Sequence, residues 1–440
     1  MTRSSFSAAS PPAADPLPWT AESSGRSPST RPPSRTTGSA GLDAVELDQG
    51  AAVEEPALAP EPRDDLRSFR ELVVFHQYDS IYAVHCYELA PRWISKSLEQ
   101  TLPRAPAASR DLFRLLYFGE KLRRRRVQEL LGDRLLAALE GLGILRREAE
   151  DSKWIRARFR LEVIGDTLLW ADPSLDPDGV YYSEDSQFLR SMIRPQAGDV
   201  CLDLCTGTGV QALRLAPLAA RVDAVDLNPA AVRLARINAA FNGWSDRMRV
   251  YEGDLWNALP GDATYDHIVC NPPLMPVPDL LEYPLCGHGG PDGLTIVRRI
   301  LRQLGDRLSA RGRLTLIGAC TGDETRPAIA SEAERWVGPD ADAVLFLSLK
   351  IPLRDWAREI SKTVCCVYGD PSPTRSILRF RTAFGEAFDE TYVYTYLLKV
   401  SNQARESTPG RAGFDGLRIF DYSEVGSQSY WYVNRGIIAQ

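Results

Sequence analysis

Between residues 199 and 317, short apolar runs of strand length alternate with segments of helical period, and no other feature restricts the fold as strongly. Strands are expected over 199–204, 221–225, 247–251, 266–270 and 313–317, and helices over 208–218, 229–242 and 294–308. A strand–helix repeat of this kind covers both faces of a sheet. It predicts an α/β fold: a Rossmann-like, doubly wound, mostly parallel sheet. Downstream, a strand over 343–351, a helix near 353–360 and a β run over 391–400 are expected to complete the sheet. The last stretch, 411–440, carries Tyr422, Tyr430, Trp431 and Tyr432 and is expected to form an aromatic flap or an extra strand pair.

A chain of 440 residues exceeds one ordinary core. Residues 1–62 are rich in Pro, Ser, Ala and Arg and poor in large apolar side chains, so they are expected to be disordered. They hold no continuous apolar run of the kind a secretion signal needs. Residues 63–175 are expected to form a helical, winged-helix-like domain for substrate binding or dimerisation. Phe69, Leu72, Val73, Phe75 and His76 share one helical face, and Tyr78, Ile81, Tyr82 and His85 a second. Three further helices are expected around Leu112 to Phe118, Val127 to Leu131 and Leu135 to Leu142, then strands over 154–163 and 167–170 turned at Gly165-Asp166. Arg123, Arg124, Arg125 and Arg126 form a basic run beside this unit, able to grip phosphate or an acidic partner or simply to be a solvated helix face. Residues 176–440 are expected to be the α/β domain with its aromatic extension.

Net charge of −6 argues against a general nucleic-acid binder. No run of eighteen apolar residues is present, so no membrane partner is expected. The eight cysteines contain no CxxC pair and read as free thiols of a reducing cytoplasm; the four histidines have no metal-ligand spacing, and no metal site is assigned.

Chemistry concentrates at the strand ends. Asp203-Leu204-Cys205-Thr206-Gly207-Thr208-Gly209-Val210 follows a strand and opens a helix, where glycines let a ligand approach the backbone. Gly207, Gly209 and Ala212 also satisfy GxGxxA, so a nicotinamide dinucleotide fold competes. The next strand ends at Asp226, placed to accept from ribose hydroxyls, with Leu227 following and Asn228 capping a helix that starts at Pro229. The third ends near Asp254 and Leu255, an acid and an apolar wall suited to an adenine. The fourth stops at Asn271-Pro272-Pro273-Leu274, where two prolines make a stiff extended shelf. Tyr181 and Tyr182, in the polar stretch Ser183-Glu184-Asp185-Ser186 that precedes the first core strand, are placed to lie over a ligand, with Ser183 as the expected helix cap.

Taken together, these residues resemble the class I S-adenosylmethionine-dependent methyltransferases. Asp203 to Gly209 looks like their first motif, Asp226 like their ribose acid and Asp254 like their adenine-side acid. Asn271-Pro272-Pro273-Leu274 resembles the NPPY motif of the amino-methyltransferase branch, which includes release-factor glutamine methyltransferases and enzymes that modify exocyclic amines of bases. The resemblance covers roughly residues 180–320. It implies S-adenosylmethionine as cofactor, held by Asp203, Cys205, Thr206, Gly207, Thr208, Gly209, Asp226, Leu227, Asn228, Asp254, Leu255 and Asn271. It also implies catalysis at Asn271, Pro272 and Pro273, with Tyr181, Tyr182, Leu274 and His288 toward the acceptor. Two positions depart from the pattern: Cys205 replaces a usual glycine and Leu274 a usual aromatic. Gly287-His288-Gly289-Gly290-Pro291-Asp292-Gly293-Leu294 also resembles the glycine-rich stretch of the glutamine methyltransferases, and its alternative is a plain loop into a helix.

The expected reaction is N-methylation of an amide, guanidine or amine on a small molecule, peptide or protein. Exocyclic-amine methylation of RNA or DNA is the alternative, and a non-catalytic adaptor is a third reading. In the first, the Asn271 side-chain oxygen and the Pro272 carbonyl accept the two N–H bonds of a planar nitrogen. Asn fits better than Asp there because it adds no charge to desolvate, and alignment of the reacting atoms supplies most of the rate.

Overall fold

A computed structural model describes residues 58–86, 102, 105–149, 151–173, 177–337, 341–368, 372–402 and 417–423. All of them belong to one compact unit, Gly50–Gln440. The disorder expected over 1–62 falls outside the described residues up to 57. Its last residues are helical, because Pro60 opens α1 (Pro60–Phe75) at a position where the missing N–H costs nothing. α1 buries Leu66, Phe69 and Val73, whereas Phe75, expected on the same face, is 80% exposed. α2 (Tyr78–Cys86), α3 (Ala107–Leu116), β1 (Leu122–Arg123) and α4 (Arg124–Gly141) follow. Gly132 interrupts α4 with φ 75° and ψ 166°, so the two helices expected here are distinct and the glycine is the break. β2 (Leu145–Arg147) and β3 (Trp154–Ala157) join β1 in a small sheet of order β1-β3-β2, and β4 (Arg160–Ile164) pairs with β5 (Thr167–Ala171) across Gly165-Asp166. The single strand expected over 154–163 is therefore two strands in different sheets.

The α/β part begins with α5 (Glu184–Met192). It continues through β6 (Val200–Leu204), α6 (Val210–Leu215), β7 (Arg221–Asp226), α7 (Pro229–Phe241), β8 (Met248–Glu252), β9 (Tyr265–Cys270), α8 (Thr295–Arg307) and β10 (Leu308–Gly322). α9 (Ala328–Trp336), β11 (Asp342–Pro352), α10 (Leu353–Tyr368), α11 (Pro373–Phe384), β12 (Tyr392–Ser401) and β13 (Leu417–Asp421) complete it. Eight strands form one sheet of order β13-β11-β12-β10-β9-β6-β7-β8. β12 runs antiparallel between β10 and β11, and every other pairing in the sheet is parallel. The predicted doubly wound core is thus present. α6 is shorter than expected at both ends, because residues 205–209 are a loop and the helix stops at Leu215. α9 and α11 carry no signal that the sequence reading used. Of the aromatic tail, β13 adds a parallel edge strand beside β11 and Tyr422 is exposed; Tyr430, Trp431 and Tyr432 lie outside the described residues.

The N-terminal elements share a core with the sheet's helical layer. Trp170 of β5 is fully buried, stacks on Phe69 of α1 at 6.1 Å and lies 5.5 Å from Phe241 of α7. Asn238, buried in the middle of α7, accepts from Trp170 N at 2.8 Å and donates to Trp170 O and Thr208 O, both at 2.9 Å. One amide therefore satisfies groups of β5 and of the loop after β6, which a burial this complete requires. Among the described residues, no helix is long and apolar enough to cross a membrane.

Candidate functional site

A cavity of about 530 Å³ opens at the carboxyl ends of β6, β7, β8 and β9. Successive connections leave β6 toward β7 on one side while β9 lies on the other, which is where open α/β sheets hold ligands. The volume is that of a small-molecule site.

The loop after β6 forms one wall. Cys205, Thr206, Gly207 and Thr208 line the cavity. Gly207 and Gly209 have φ of 54° and 82°, and a Cβ on Gly209 would sit 3.1 Å from the Met248 side chain and 3.3 Å from Ala235. Cys205 adopts φ 58°, a left-handed conformation that favours glycine. Asp203 does not reach the cavity. Its buried Oδ2 accepts from Thr206 Oγ1 at 2.6 Å and Ala212 N at 3.0 Å, so it braces the loop from behind, and burial pushes its pKa up to about 7.

Asp226 stands at the end of β7 and lines the cavity. Its two oxygens accept from Gly207 N at 2.8 Å and Asn228 N at 2.9 Å, and burial raises its pKa. Asn228 caps α7 by accepting from Ala230 N at 2.9 Å, and Leu227 is exposed at the cavity mouth. After β8, Leu255 is buried in the wall with φ 51°. Asp254 accepts from Arg299 Nη2 of α8 at 2.5 Å, and both line the cavity.

Asn271 ends β9. Its Nδ2 donates to Asp185 Oδ2 at 3.1 Å and to Ser186 Oγ at 3.4 Å, while its Oδ1 is buried with no hydrogen-bond partner among the described residues. Pro273 lines the cavity, and Pro272 is buried beneath it. Asp185 is 6% exposed and not part of the cavity wall; burial raises its pKa against the opposing bonds from Asn271 and Tyr181. Tyr181 lines the cavity with its ring partly exposed and its hydroxyl turned in toward Asp185.

Asp203, Gly209 and Pro272, expected at the site, are not part of the cavity wall, and three further expectations need correction. Leu274 points away from the cavity into a core shared with Trp356, Ile360 and Phe380 of α10 and α11. Tyr182 packs against the core under α5 instead of lining the cavity. Ser183 occupies the cap position of α5, but its side chain makes no capping bond. The glycine-rich stretch is more than a connector: Met275 N donates to Gly287 O at 2.8 Å, Gly289 N to Met275 O at 2.9 Å and Val277 N to Gly290 O at 2.9 Å. It thereby braces the segment after the prolines. A Cβ on Gly289 would meet Leu274 C at 2.8 Å, so the close approach needs glycine. His288 lines the cavity, half-buried, with Nδ1 accepting from Gly290 N at 3.3 Å and its pKa lowered by burial.

Sequence reasoning missed Asp185, Ser186, Cys286 and Arg299. Asp185 and Ser186 lay within a stretch already marked as polar and aromatic, so their residue types were a usable signal. Arg299 looks like any solvated helix arginine until α8 brings it against Asp254.

Residues 181–321 match the family model described as the methyltransferase small domain. A ribosomal protein uL3 glutamine methyltransferase of Bordetella pertussis is 38% identical over 160 residues, which is 33% of this chain and 53% of that protein. Its counterpart in Bradyrhizobium diazoefficiens is 39% identical over 145 residues, 30% of this chain and 45% of that protein. The 4-amino-L-phenylalanine/4-methylamino-L-phenylalanine methyltransferase of Streptomyces pristinaespiralis is 34% identical over 154 residues, 32% of this chain and 51% of that protein. The chain spans about half the length of the curated relatives it matches. Strand order, cavity position and these similarities agree on a methyltransferase small domain over residues 181–321.

Proposed function

We propose that the protein transfers a methyl group from S-adenosylmethionine to a planar N–H-bearing nitrogen, an amide, guanidine or amine of a protein, peptide or small molecule. The observation that carries this reading is Asn271 in the cavity wall, its NH2 group committed to Asp185 and Ser186 and its buried Oδ1 without a hydrogen-bond partner among the described residues. A buried acceptor without a partner is costly unless a ligand supplies the donor. Amides and aromatic amines share a nitrogen whose lone pair is delocalised, and the named relatives act on one of each.

The cavity fits the cofactor. Its volume suits a nucleoside with an amino-acid tail. In this reading Asp226, at a strand end in the cavity wall, would accept from ribose hydroxyls, Asp254 and Leu255 would meet an adenine, and the 205–208 loop would present its backbone. Asp178, Asp226 and Asp254 against Arg299 leave the lining acidic, which suits a cationic ligand. When bound, S-adenosylmethionine supplies an electrophilic methyl on a sulfonium. The chain's own contribution is alignment: Asn271 Oδ1 takes an acceptor N–H bond, and Pro272 and Pro273 keep that shelf extended.

We further propose that α3, β1, the two halves of α4, β2 and β3 make a winged-helix unit, from their order along the chain. Arg126 is bound to Asp111 at 2.8 Å and Arg125 to Glu129 at 3.3 Å, so part of the basic run is satisfied internally, which favours a protein or small-molecule acceptor over nucleic acid. Seven free cysteines among the described residues favour a reducing cytoplasm.

The test is labelled-methyl transfer from S-adenosylmethionine to three pools: ribosomal proteins, 4-amino-L-phenylalanine and total RNA. Label in either of the first two is expected. Label confined to RNA, or no thermal protection of the protein by S-adenosylmethionine, overturns the reading.

A further inference from the structure

Asparagine side chains are nearly symmetric in shape, and only their partners decide which end faces a ligand. At the end of β9 that choice separates a site that accepts an N–H from one that donates. The Asn271 NH2 group meets Asp185 Oδ2 at 3.1 Å and Ser186 Oγ at 3.4 Å. Asp185 Oδ2 is the acceptor of that bond, and in its ionised form it has no hydrogen to give to the other end of the amide. The hydroxyl of Ser186 can serve either end and cannot decide the matter alone. Asp185 comes from the first turn of α5, 86 residues away in the chain, and is almost completely buried behind Asn271 and outside the cavity wall. A helix-start acid needs no such place: in solvent it would serve α5 equally well at no desolvation cost.

We propose that Asp185 is the positioning residue of this site, fixing the Asn271 amide through its NH2 group so that Oδ1 is presented to the methyl acceptor. This rests on the methyl-transfer reading above. The charge also has a second consequence. A carboxylate bonded to the NH2 end polarises the amide and strengthens Oδ1 as an acceptor.

The experiment follows the Asn271 side-chain N–H cross-peaks in 15N-labelled protein bound to S-adenosylhomocysteine, assigned by their loss in Asn271→Ser. In Asp185→Ala and in the isosteric Asp185→Asn, both peaks are expected to shift and the low-field one to lose its charge-assisted displacement. Protection by S-adenosylhomocysteine in thermal melting serves as the folding control. Unshifted peaks in a folded Asp185→Asn protein overturn the proposal. On the acceptor pool that takes label, Asp185→Ala should lower kcat on the order of 10- to 100-fold with KM for S-adenosylmethionine unchanged. The Asp185→Ala/Asn271→Ala pair should be no slower than Asn271→Ala alone. If the two losses multiply, Asp185 does not act through Asn271. If the peaks behave as expected but Asn271→Ala keeps full activity, the methyl-transfer reading fails while the positioning relationship stands.

Discussion

Trp356 donates its indole Nε1 to the backbone carbonyl of Pro276 at 2.9 Å, which ties the helix pair inserted between β11 and β12 to the segment directly after the proline shelf. Leu274, Met275, Val277 and Leu281 from that segment pack with Leu353, Trp356, Ala357, Ile360 and Phe380 in one buried cluster. Trp356→Phe keeps most of the packing but leaves a buried carbonyl without its donor, at a cost of about 1–3 kcal/mol. Trp356→Ala should cost about 3–5 kcal/mol. Urea unfolding checks both. The groups after β6, β7 and β8 proposed to face the cofactor are untouched by this change, so binding of S-adenosylmethionine by calorimetry should stay within about twofold for Trp356→Phe. A large loss of cofactor affinity would show that the cluster supports the whole cavity.

The two ends of the cavity should separate in kinetics. Asn271→Ala removes an acceptor proposed to act on the methyl acceptor, so turnover should fall by about two orders of magnitude or more, with cofactor binding nearly intact. Asp226→Asn behaves in the opposite way. It removes one charge and turns one acceptor, now serving Gly207 N or Asn228 N, into a donor. Its cofactor Kd should rise roughly 10-fold or more, with a smaller effect on turnover at saturating cofactor. Calorimetry and single-turnover rates together decide this. If Asn271→Ala loses cofactor affinity as severely as turnover, the division of roles is wrong.

Much of this arrangement was legible because it is local in sequence. The strands, their carboxyl-end acids and the Asn-Pro-Pro stop are written in consecutive residues, and the alternation of periods predicts a mostly parallel sheet but not the order of its strands. Leu274 shows where that ends. Its neighbours imply a site residue, but the side chain turns into a core built by residues 353–388, and nothing near position 274 announces a helix pair eighty residues on. Asn238 is similar. A buried asparagine on an apolar helix reads as a minor flaw until β5 and the 205–209 loop are seen to share it. Asp185 lay in a stretch already noted, and only the long-range bond to Asn271 shows what the carboxylate is for.

His267 sets a pH dependence of stability. It lies in β9, 1% exposed, with Nε2 3.1 Å from Thr315 Oγ1 and Nδ1 buried without a partner among the described residues. Burial, with Arg313 and Lys399 nearby, lowers its pKa to about 3. The unfolded histidine takes a proton near its ordinary value, about 6.5, and the folded one does not. Stability from this group is therefore complete above about 6.5 and lost as pH falls toward 3, by at most about 1.4 kcal/mol per pH unit. Asp203 has the opposite sign, because its folded pKa is raised to about 7. Its contribution is present below its unfolded value and is lost as pH rises toward 7. The two partly cancel between about 4 and 6.5. His267→Gln keeps a polar contact for Thr315 and removes only one of them. Its stability deficit relative to the parent should shrink between pH 6.5 and 5 in urea titrations. A deficit that grows on acidification would mean that His267 is protonated in the folded protein.

Cys205 offers the most direct test of the loop. With φ at 58° it occupies a conformation that costs a non-glycine residue about 1–2 kcal/mol. Its half-buried side chain packs against the main core beside Cys270. Glycine would remove the backbone cost and the small contact together, and would add roughly 0.5–1 kcal/mol of unfolded-state entropy. Cys205→Gly should therefore leave stability within about 1 kcal/mol of the parent and preserve cofactor binding. Cys205→Val is close in size but β-branched. At positive φ it is a true outlier, and it should cost more than about 2 kcal/mol. Thermal melts of the two variants, with and without S-adenosylmethionine, make the comparison. Equal destabilisation by both would mean that the thiol's contacts hold this turn more than its backbone does.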